Sequence, residues 1–281
     1  MADYVKDVLV DTDWVADHLN DDSIRIVEVD ENPALYAEAH IAGAIGFDWK
    51  NDLQDQVKRD FLSPEEFGKL MGGRGISNDH TVVLYGDRNN WFAAYTYWYF
   101  LYYGHDKVKL MNGPREKWIS EDRETTTEEP SYPAATFEAN SGDEAIRARR
   151  EEVLEALDSG TSLVDVRSPQ EFSGELIAMA GYEQEGAQRA GHIPRAISVP
   201  WAQAVNEDGT FKSADELREL YTSKGVIQDG NPVIAYCRIG ERSAHTWFVL
   251  HELLGIDDVE NYDGSWTEWG NLVNVPIEKD V

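Results

Sequence analysis

Short apolar runs alternate with helical patterns along the chain, and the whole series occurs twice. Strand-like runs occupy residues 82–85 in the first half and 233–236 in the second. Each run is preceded by a helical pattern that opens on a serine, Ser63 or Ser213, whose hydroxyl can cap the free N–H groups of a helix start. Each is followed by a helical stretch that ends in glycine. Alternating strand and helix signals predict α/β domains with mostly parallel sheets flanked by helices.

The repeat divides the chain into two similar halves. Residues 39–45 are echoed by residues 191–197, and each half closes with a turn and a tryptophan. The connecting stretch is rich in Glu, Thr, Pro and Ser, which is typical of a linker. We therefore predict an N-terminal domain over 1–125, a linker over 126–143 and a C-terminal domain over 144–281. A helix is expected to start near Gly142 and to run to Gly160.

The spacing between the two copies changes along the repeat. Phe61 and Phe211 are 150 residues apart, whereas Trp118 and Trp269 are 151 apart. This pattern predicts one extra residue in the loop between the buried strand and the following helix of the second copy. In that register Cys237 corresponds to Asp87 in the first copy.

Composition excludes several classes of protein. Hydrophobic residues make up 42% of the chain, yet no apolar run reaches the roughly 18 residues that a membrane span requires. The first residues lack the basic start and apolar segment of an export signal, so we expect a cytoplasmic protein. A single cysteine, Cys237, cannot form an internal disulfide.

The charge balance is strongly negative. There are 53 acidic and 25 basic residues, which gives a formal net charge of -28. Such a surface repels nucleic acid and anionic membranes, and we expect neither as a partner. Acidic residues are spread along the chain rather than gathered in a tail, which favours a salt-rich, halophilic cytoplasm where ions screen the repulsion.

Candidate chemistry is concentrated where the second buried strand ends. Cys237 follows that strand directly and precedes a helical pattern, the place where open α/β sheets bind ligands. Inward-pointing N–H groups and nearby arginines stabilise an anion or a thiolate. The candidate catalytic residue is Cys237, the candidate anion-binding residues are Arg242 and Arg238, and the remaining loop members are Ile239, Gly240, Glu241 and Ser243.

This loop resembles that of the tandem-domain rhodanese family of thiosulfate sulfurtransferases. The resemblance rests on the run 237–243, on residues 245–248 and 261–266 after it, and on residues 164–169 and 191–194 before it. It implies an active C-terminal domain and an inactive N-terminal one. It also implies that the Cys237 thiolate takes the outer sulfur of thiosulfate as a persulfide and passes it to cyanide or a thiol.

We expect no cofactor and a monomer, and we expect no metal because no His, Asp or Glu cluster has convincing ligand spacing. Some relatives carry basic residues where this chain has Glu171 and Ile239, so substrate contacts beyond the two arginines stay open. Three other functions remain open as well: a 3-mercaptopyruvate sulfurtransferase, a persulfide carrier for a partner protein, and a phosphatase-like enzyme. The last normally has five residues between Cys and Arg, whereas four separate Cys237 from Arg242 here.

Overall fold

The computed structural model describes residues 4–182, 186–228 and 230–280, and the chain forms two compact units. The first unit comprises Val8–Asp143 and Val205–Phe211, and the second takes the rest of the described chain. In the described residues we find no helix with the length and apolar character needed to cross a bilayer.

The first unit is built on one parallel sheet with the strand order β1-β5-β4-β2-β3. Its elements follow the chain as β1 (Leu9–Val10), α1 (Thr12–Asp17), β2 (Ile24–Glu28), α2 (Ala34–Glu38), β3 (Ile45–Gly46), α3 (Pro64–Gly73), β4 (Thr81–Tyr85), α4 (Trp91–Tyr102), β5 (Val108–Met111) and α5 (Arg115–Ser120). A 3₁₀ turn over Arg88–Asn90 separates β4 from α4.

The second unit contains a smaller parallel sheet with the order β7-β6-β8-β9. Its elements are α6 (Arg150–Ala156), β6 (Ser162–Asp165), α7 (Pro169–Ser173), β7 (Ile197–Ser198), α8 (Ala214–Ser223), β8 (Val233–Tyr236), α9 (Glu241–Trp247), β9 (Val259–Tyr262) and α10 (Ser265–Trp269). A π-helix over Phe248–Leu253 continues α9. The predicted fold class, two similar α/β units with parallel sheets, is confirmed.

Local sequence explains where the helices begin. Ser63 and Ser213 cap α3 and α8, and each forms a capping box with the glutamate three residues later. Ser168 caps α7 in the same way with Glu171. The helix expected from Gly142 to Gly160 is shorter, because a 3₁₀ turn over Glu144–Ile146 precedes α6, which ends at Ala156.

Two short segments belong to a different unit from the one that the predicted boundaries give them. Residues 4–7 belong to the second unit, and residues 205–211 belong to the first. The Val5 N–H donates to the Leu253 carbonyl at 3.0 Å, which attaches the start of the chain to the second unit. The Phe211 N–H donates to Asn112 Oδ1 at 2.9 Å within the first unit. Residues 126–143, predicted as a linker, lie along the first unit, where Phe137 is buried against Phe67.

Strand pairing corrects the register predicted between the two copies. Glu28 pairs with Tyr85 in the first sheet, and Asp165 pairs with Tyr236 at the same place in the second. Tyr85 therefore corresponds to Tyr236, an offset of 151 that is already reached inside the strand. The extra residue of the second copy lies before the strand, between Gly225 and Val233, and not in the loop after it.

The residue that corresponds to Cys237 is consequently Gly86, and the predicted match with Asp87 is wrong. Hydrogen bonds give the same answer, since the carbonyl of Gly86 accepts from Arg115 N–H and the carbonyl of Cys237 accepts from Trp266 N–H. The sequence comparison put the extra residue after the strand instead of before it. The reason is that the apolar runs of β4 and β8 match equally well when one is shifted by one residue.

Candidate active site

Cys237 stands at the carboxyl end of β8 in a loop whose main chain is held on both sides. Its N–H donates to Ser265 Oγ at 3.0 Å, and its carbonyl accepts from the Trp266 N–H at 3.1 Å. The thiol is fully buried. The start of α10 therefore fixes the backbone from which the sulfur projects.

Gly240 turns the loop back towards the sulfur. Its N–H donates to Cys237 Sγ at 3.2 Å, and its φ of +98° is a left-handed conformation that favours glycine. A Cβ at this position would stand 2.7 Å from both Cα and Cβ of Asp263. Glycine is therefore required here by conformation and by space.

Ser243 and Asn261 brace the same turn from the other side. Ser243 Oγ lies 2.6 Å from Asn261 Oδ1 and 3.1 Å from the Gly240 carbonyl oxygen, and its single proton is shared between these acceptors. The Asn261 side chain in turn donates to the Gly240 carbonyl at 3.1 Å. Residues of β9 and α10 thus hold the loop in place, and the Gly240 N–H is the backbone donor that the described hydrogen bonds direct at the sulfur.

Glu241 makes the closest carboxylate contact to the thiol. Cys237 Sγ lies 3.3 Å from Glu241 Oε2, in the geometry of a thiol that donates to a carboxylate. Burial and the negative charge of Glu241 raise the pKa of Cys237, while the charge of Arg242 and hydrogen bonds from Ser243 oppose the rise. The resting site therefore favours a thiol over a thiolate.

Arg242 is bound by a buried carboxylate. Its Nη1 lies 3.1 Å from Glu171 Oε2, and its Nη2 lies 3.3 Å from Glu171 Oε1. Burial opposes the charge of Glu171, but Arg242 outweighs it and holds the pKa of that carboxyl below its usual range. Arg242 Nη1 also contacts Met179 Sδ at 3.2 Å, and its Nε makes no hydrogen bond to the described residues.

Arg238 reaches the same cluster through Glu241. Its Nη2 lies 3.3 Å from Glu241 Oε1, and its guanidinium stacks 4.3 Å from the centre of the Tyr182 ring. Each predicted anion-binding arginine therefore forms an ion pair with a glutamate, Arg238 with Glu241 and Arg242 with Glu171. The positive and negative charges around Cys237 nearly cancel. Ile239 lies between these charged side chains along the chain and is also buried.

The corresponding place in the first unit has no room for a side chain. A Cβ at Gly86 would collide with the carbonyl oxygen of Val29. Trp91, the first residue of α4, stands where Arg242 stands in the second unit at the corrected offset. The first unit therefore lacks both the sulfur and the guanidinium of this arrangement.

Two kinds of residue were missed by the sequence interpretation. Met179 and Tyr182 contact the arginines from a stretch without regular structure, and no sequence signal predicts this. The contact of Glu241 with the thiol was missed too, because Cys237 lies before α9, which begins at Glu241, so no helix spacing relates the two residues. In the described parts of the chain, no group of three or more His, Cys, Asp or Glu side chains is placed to hold a metal ion.

Comparison with known proteins gives one family. The Rhodanese-like domain family matches residues 11–121 and 149–272. A Haloferax volcanii protein provisionally named thiosulfate sulfurtransferase is 58% identical, with 99% of this chain and 98% of that protein covered. The sulfur carrier protein TtuD of Thermus thermophilus is 59% identical, with 97% of each chain covered.

Two solved structures share the fold of this chain. The anaerobic ergothioneine biosynthesis enzyme of Chlorobium limicola superposes with a TM-score of 0.82 at 25% identity, over 97% of this chain and 70% of that one. The Escherichia coli protein SseA, described as a 3-mercaptopyruvate sulfotransferase, superposes with a TM-score of 0.75 at 25% identity, over 92% of this chain and 98% of its own.

Proposed function

The chain belongs to the rhodanese family, and we propose that it works there as a thiosulfate sulfurtransferase whose sulfur passes through a persulfide on Cys237. The observation that carries the proposal is a buried thiol at a strand end that faces the Gly240 N–H at 3.2 Å, in a loop that also contains Arg238 and Arg242. An N–H donor aimed at the sulfur stabilises negative charge that forms there during the reaction.

The proposed reaction has two displacement steps. The Cys237 thiolate attacks the outer sulfur of thiosulfate, the S–S bond of thiosulfate breaks, and sulfite leaves with the electron pair. Cyanide or a thiol then attacks the outer sulfur of the persulfide and restores Cys237. Arg242 and Arg238 hold the thiosulfate oxygens, and Arg242 Nε is a donor without a hydrogen bond in the described chain.

A steady-state comparison of sulfur donors tests this choice. We expect thiocyanate formation from thiosulfate and cyanide to have a higher kcat/KM than the same reaction with 3-mercaptopyruvate, because the planar guanidinium groups of Arg242 and Arg238 offer several hydrogen-bond donors to the oxygens of thiosulfate. A clear preference for 3-mercaptopyruvate would contradict the donor assignment and favour the activity for which SseA is named. Cys237→Ser serves as the inactive control with either donor.

A sulfur carrier is the second candidate, favoured by the 59% identity to TtuD. A carrier accepts sulfur at Cys237 and passes it to a partner protein, with little turnover on small thiols. Rapid loading by thiosulfate followed by slow release to cyanide and thiols would support that function over the first.

A phosphatase-like function predicts release of phosphate from an aryl phosphate. We expect none, because Arg242 is bound by Glu171 at 3.1 Å and the four-residue spacing leaves a smaller loop than those enzymes use. Substantial hydrolysis that disappears in Cys237→Ser would overturn the sulfurtransferase proposal.

A salt-rich cytoplasm is part of the same proposal. It rests on the net charge of -28, since identity to the Haloferax volcanii and Thermus thermophilus proteins is nearly equal and does not distinguish their environments. The effect of salt on stability, given among the predictions below, tests it.

A further inference from the structure

The position of Glu241 is not explained by its ion pairs with arginine alone, because its carboxylate also contacts the reacting sulfur. Its side chain is fully buried, and its two oxygens face different groups. Oε1 lies 3.3 Å from Arg238 Nη2 and 3.8 Å from Arg242 Nε, whereas Oε2 lies 3.3 Å from Cys237 Sγ. The arginines therefore orient the carboxylate so that one oxygen is directed at the reacting sulfur.

A carboxylate beside the nucleophile is unfavourable if it acts only through its charge. It disfavours the thiolate and repels an incoming dianion such as thiosulfate. Arg238 and Arg242 offset that charge, yet a neutral side chain of the same shape would avoid the conflict. The contact is useful if the carboxylate exchanges a proton with the thiol during the reaction.

We propose that Glu241 is a catalytic residue that takes the proton of the Cys237 thiol and returns protons to the leaving groups of both displacement steps. This inference rests on the proposed function. In the first step Oε2 accepts the thiol proton, the thiolate attacks the outer sulfur of thiosulfate, and the proton passes to the departing sulfite. The products are the Cys237 persulfide anion and hydrogen sulfite, so atoms and charge balance.

The second step uses the same carboxylate in the opposite direction. Glu241 accepts the proton of hydrogen cyanide or of a thiol as that acceptor attacks the outer sulfur. The bond between the two sulfurs of the persulfide breaks, and Glu241 delivers the proton to the departing Cys237 sulfur. With hydrogen cyanide the products are thiocyanate and the Cys237 thiol, and the enzyme returns to its resting form.

The test compares sulfur transfer with simple alkylation in Glu241→Gln, which keeps the shape and an acceptor oxygen for Arg238. Removal of the charge lowers the thiol pKa, so iodoacetamide at pH 7 should alkylate Cys237 several times faster than in the unaltered protein. Single-turnover loading from thiosulfate at the same pH should be slower by about tenfold or more, since no carboxyl remains to return the proton to the departing sulfite, whereas the iodide that leaves in alkylation needs no proton. Glu216→Gln, at an exposed helix cap of α8, is the matched control and should change neither rate.

Three results are decisive against the proposal. If Glu241→Gln takes up sulfur from thiosulfate as fast as the unaltered protein or faster, Glu241 only disfavours the thiolate through its charge and transfers no proton. Equal slowing of loading and alkylation would make it only a support for the loop. If Glu241→Gln does not fold, the unaltered enzyme decides, because its loading step should be slower in D2O than in H2O at the equivalent pH, and loading that is equally fast or faster in D2O would contradict the proposal.

The proposed function and the role of Glu241 can fail separately. If the unaltered protein takes no sulfur from thiosulfate, the proposed function fails and with it the first step written above. Faster alkylation of Glu241→Gln would even then show that the carboxylate controls the thiol proton.

Discussion

The pair formed by Arg242 and Glu171 allows a structural role of the arginine to be separated from a role in binding thiosulfate. The two side chains are 2% and 1% exposed and meet through two hydrogen bonds. Arg242→Gln leaves the Glu171 charge buried without its partner, which should lower the free energy of unfolding by about 3–5 kcal/mol. Glu171→Gln keeps the cap of α7, because glutamine also serves in a capping box, but it leaves the buried Arg242 with Glu241 at 3.8 Å, so we expect a similar cost.

The double variant Glu171→Gln/Arg242→Gln buries two neutral amides in place of two charges. We expect most of the lost stability to return, measured by urea unfolding of all four proteins as a double-mutant cycle. Thiosulfate affinity should not return, because the guanidinium is still absent. Loss of a hydrogen bond to a charged group costs about 1.5–3 kcal/mol, which corresponds to a KM for thiosulfate raised about 10- to 100-fold.

Kinetics of the four proteins decide between the two roles. Arg242→Gln and the double variant should share the raised KM, whereas Glu171→Gln should bind thiosulfate at least as well as the unaltered protein, since its arginine loses a competing anion. Full recovery of both stability and KM in the double variant would refute the reasoning and leave Arg242 with a structural role alone.

Three further predictions concern the loop, the first unit and the surface. Gly240→Ala should destabilise the protein by more than the roughly 1–3 kcal/mol of a left-handed alanine and slow sulfur loading, because its Cβ meets Asp263 at 2.7 Å. Gly225→Ala is the control, because its φ is +78° and its Cβ would make only an ordinary contact with Gln228 at 3.8 Å. Equal losses of stability in urea unfolding would refute the steric argument. Burial raises the pKa of Asp87 to about 7, so its contribution to stability is present below about pH 4 and is lost as the pH rises through 7. Asp87→Asn should reduce that loss, by up to about 4 kcal/mol in urea titrations at pH 4.5 and 8, while most sulfurtransferase activity is kept, and an unchanged pH dependence would contradict the assignment. Molar KCl should raise the unfolding temperature, since it screens the net charge of -28, and indifference to salt would argue against a halophilic protein.

The fold could be predicted from the sequence because its signals are local and occur twice. Serine caps at Ser63 and Ser213 and the buried runs of β4 and β8 each appear in both halves, so one copy supports the other. Register between the copies could not be predicted in the same way. A valine-rich strand matches its counterpart almost equally well after a shift of one residue, and only the pairing with a neighbouring strand decides.

The sequence predicts which residues form the candidate site, but it does not predict how their charges are paired. The run from Cys237 to Ser243 identifies the loop, since its chemistry lies within seven consecutive residues. The pairing of Arg242 with Glu171 joins residues 71 positions apart and depends on how α7 packs beside α9. Sequence therefore indicated two arginines free to attract an anion, whereas each of them meets a carboxylate in the structure.

The sulfur-bearing role of Cys237 is tested most directly by the intact mass of the protein after incubation with thiosulfate. We predict the addition of one sulfur atom, its removal by cyanide, and no addition in Cys237→Ser. An unchanged mass of the unaltered protein, or an equal gain in Cys237→Ser, would contradict a persulfide at this residue.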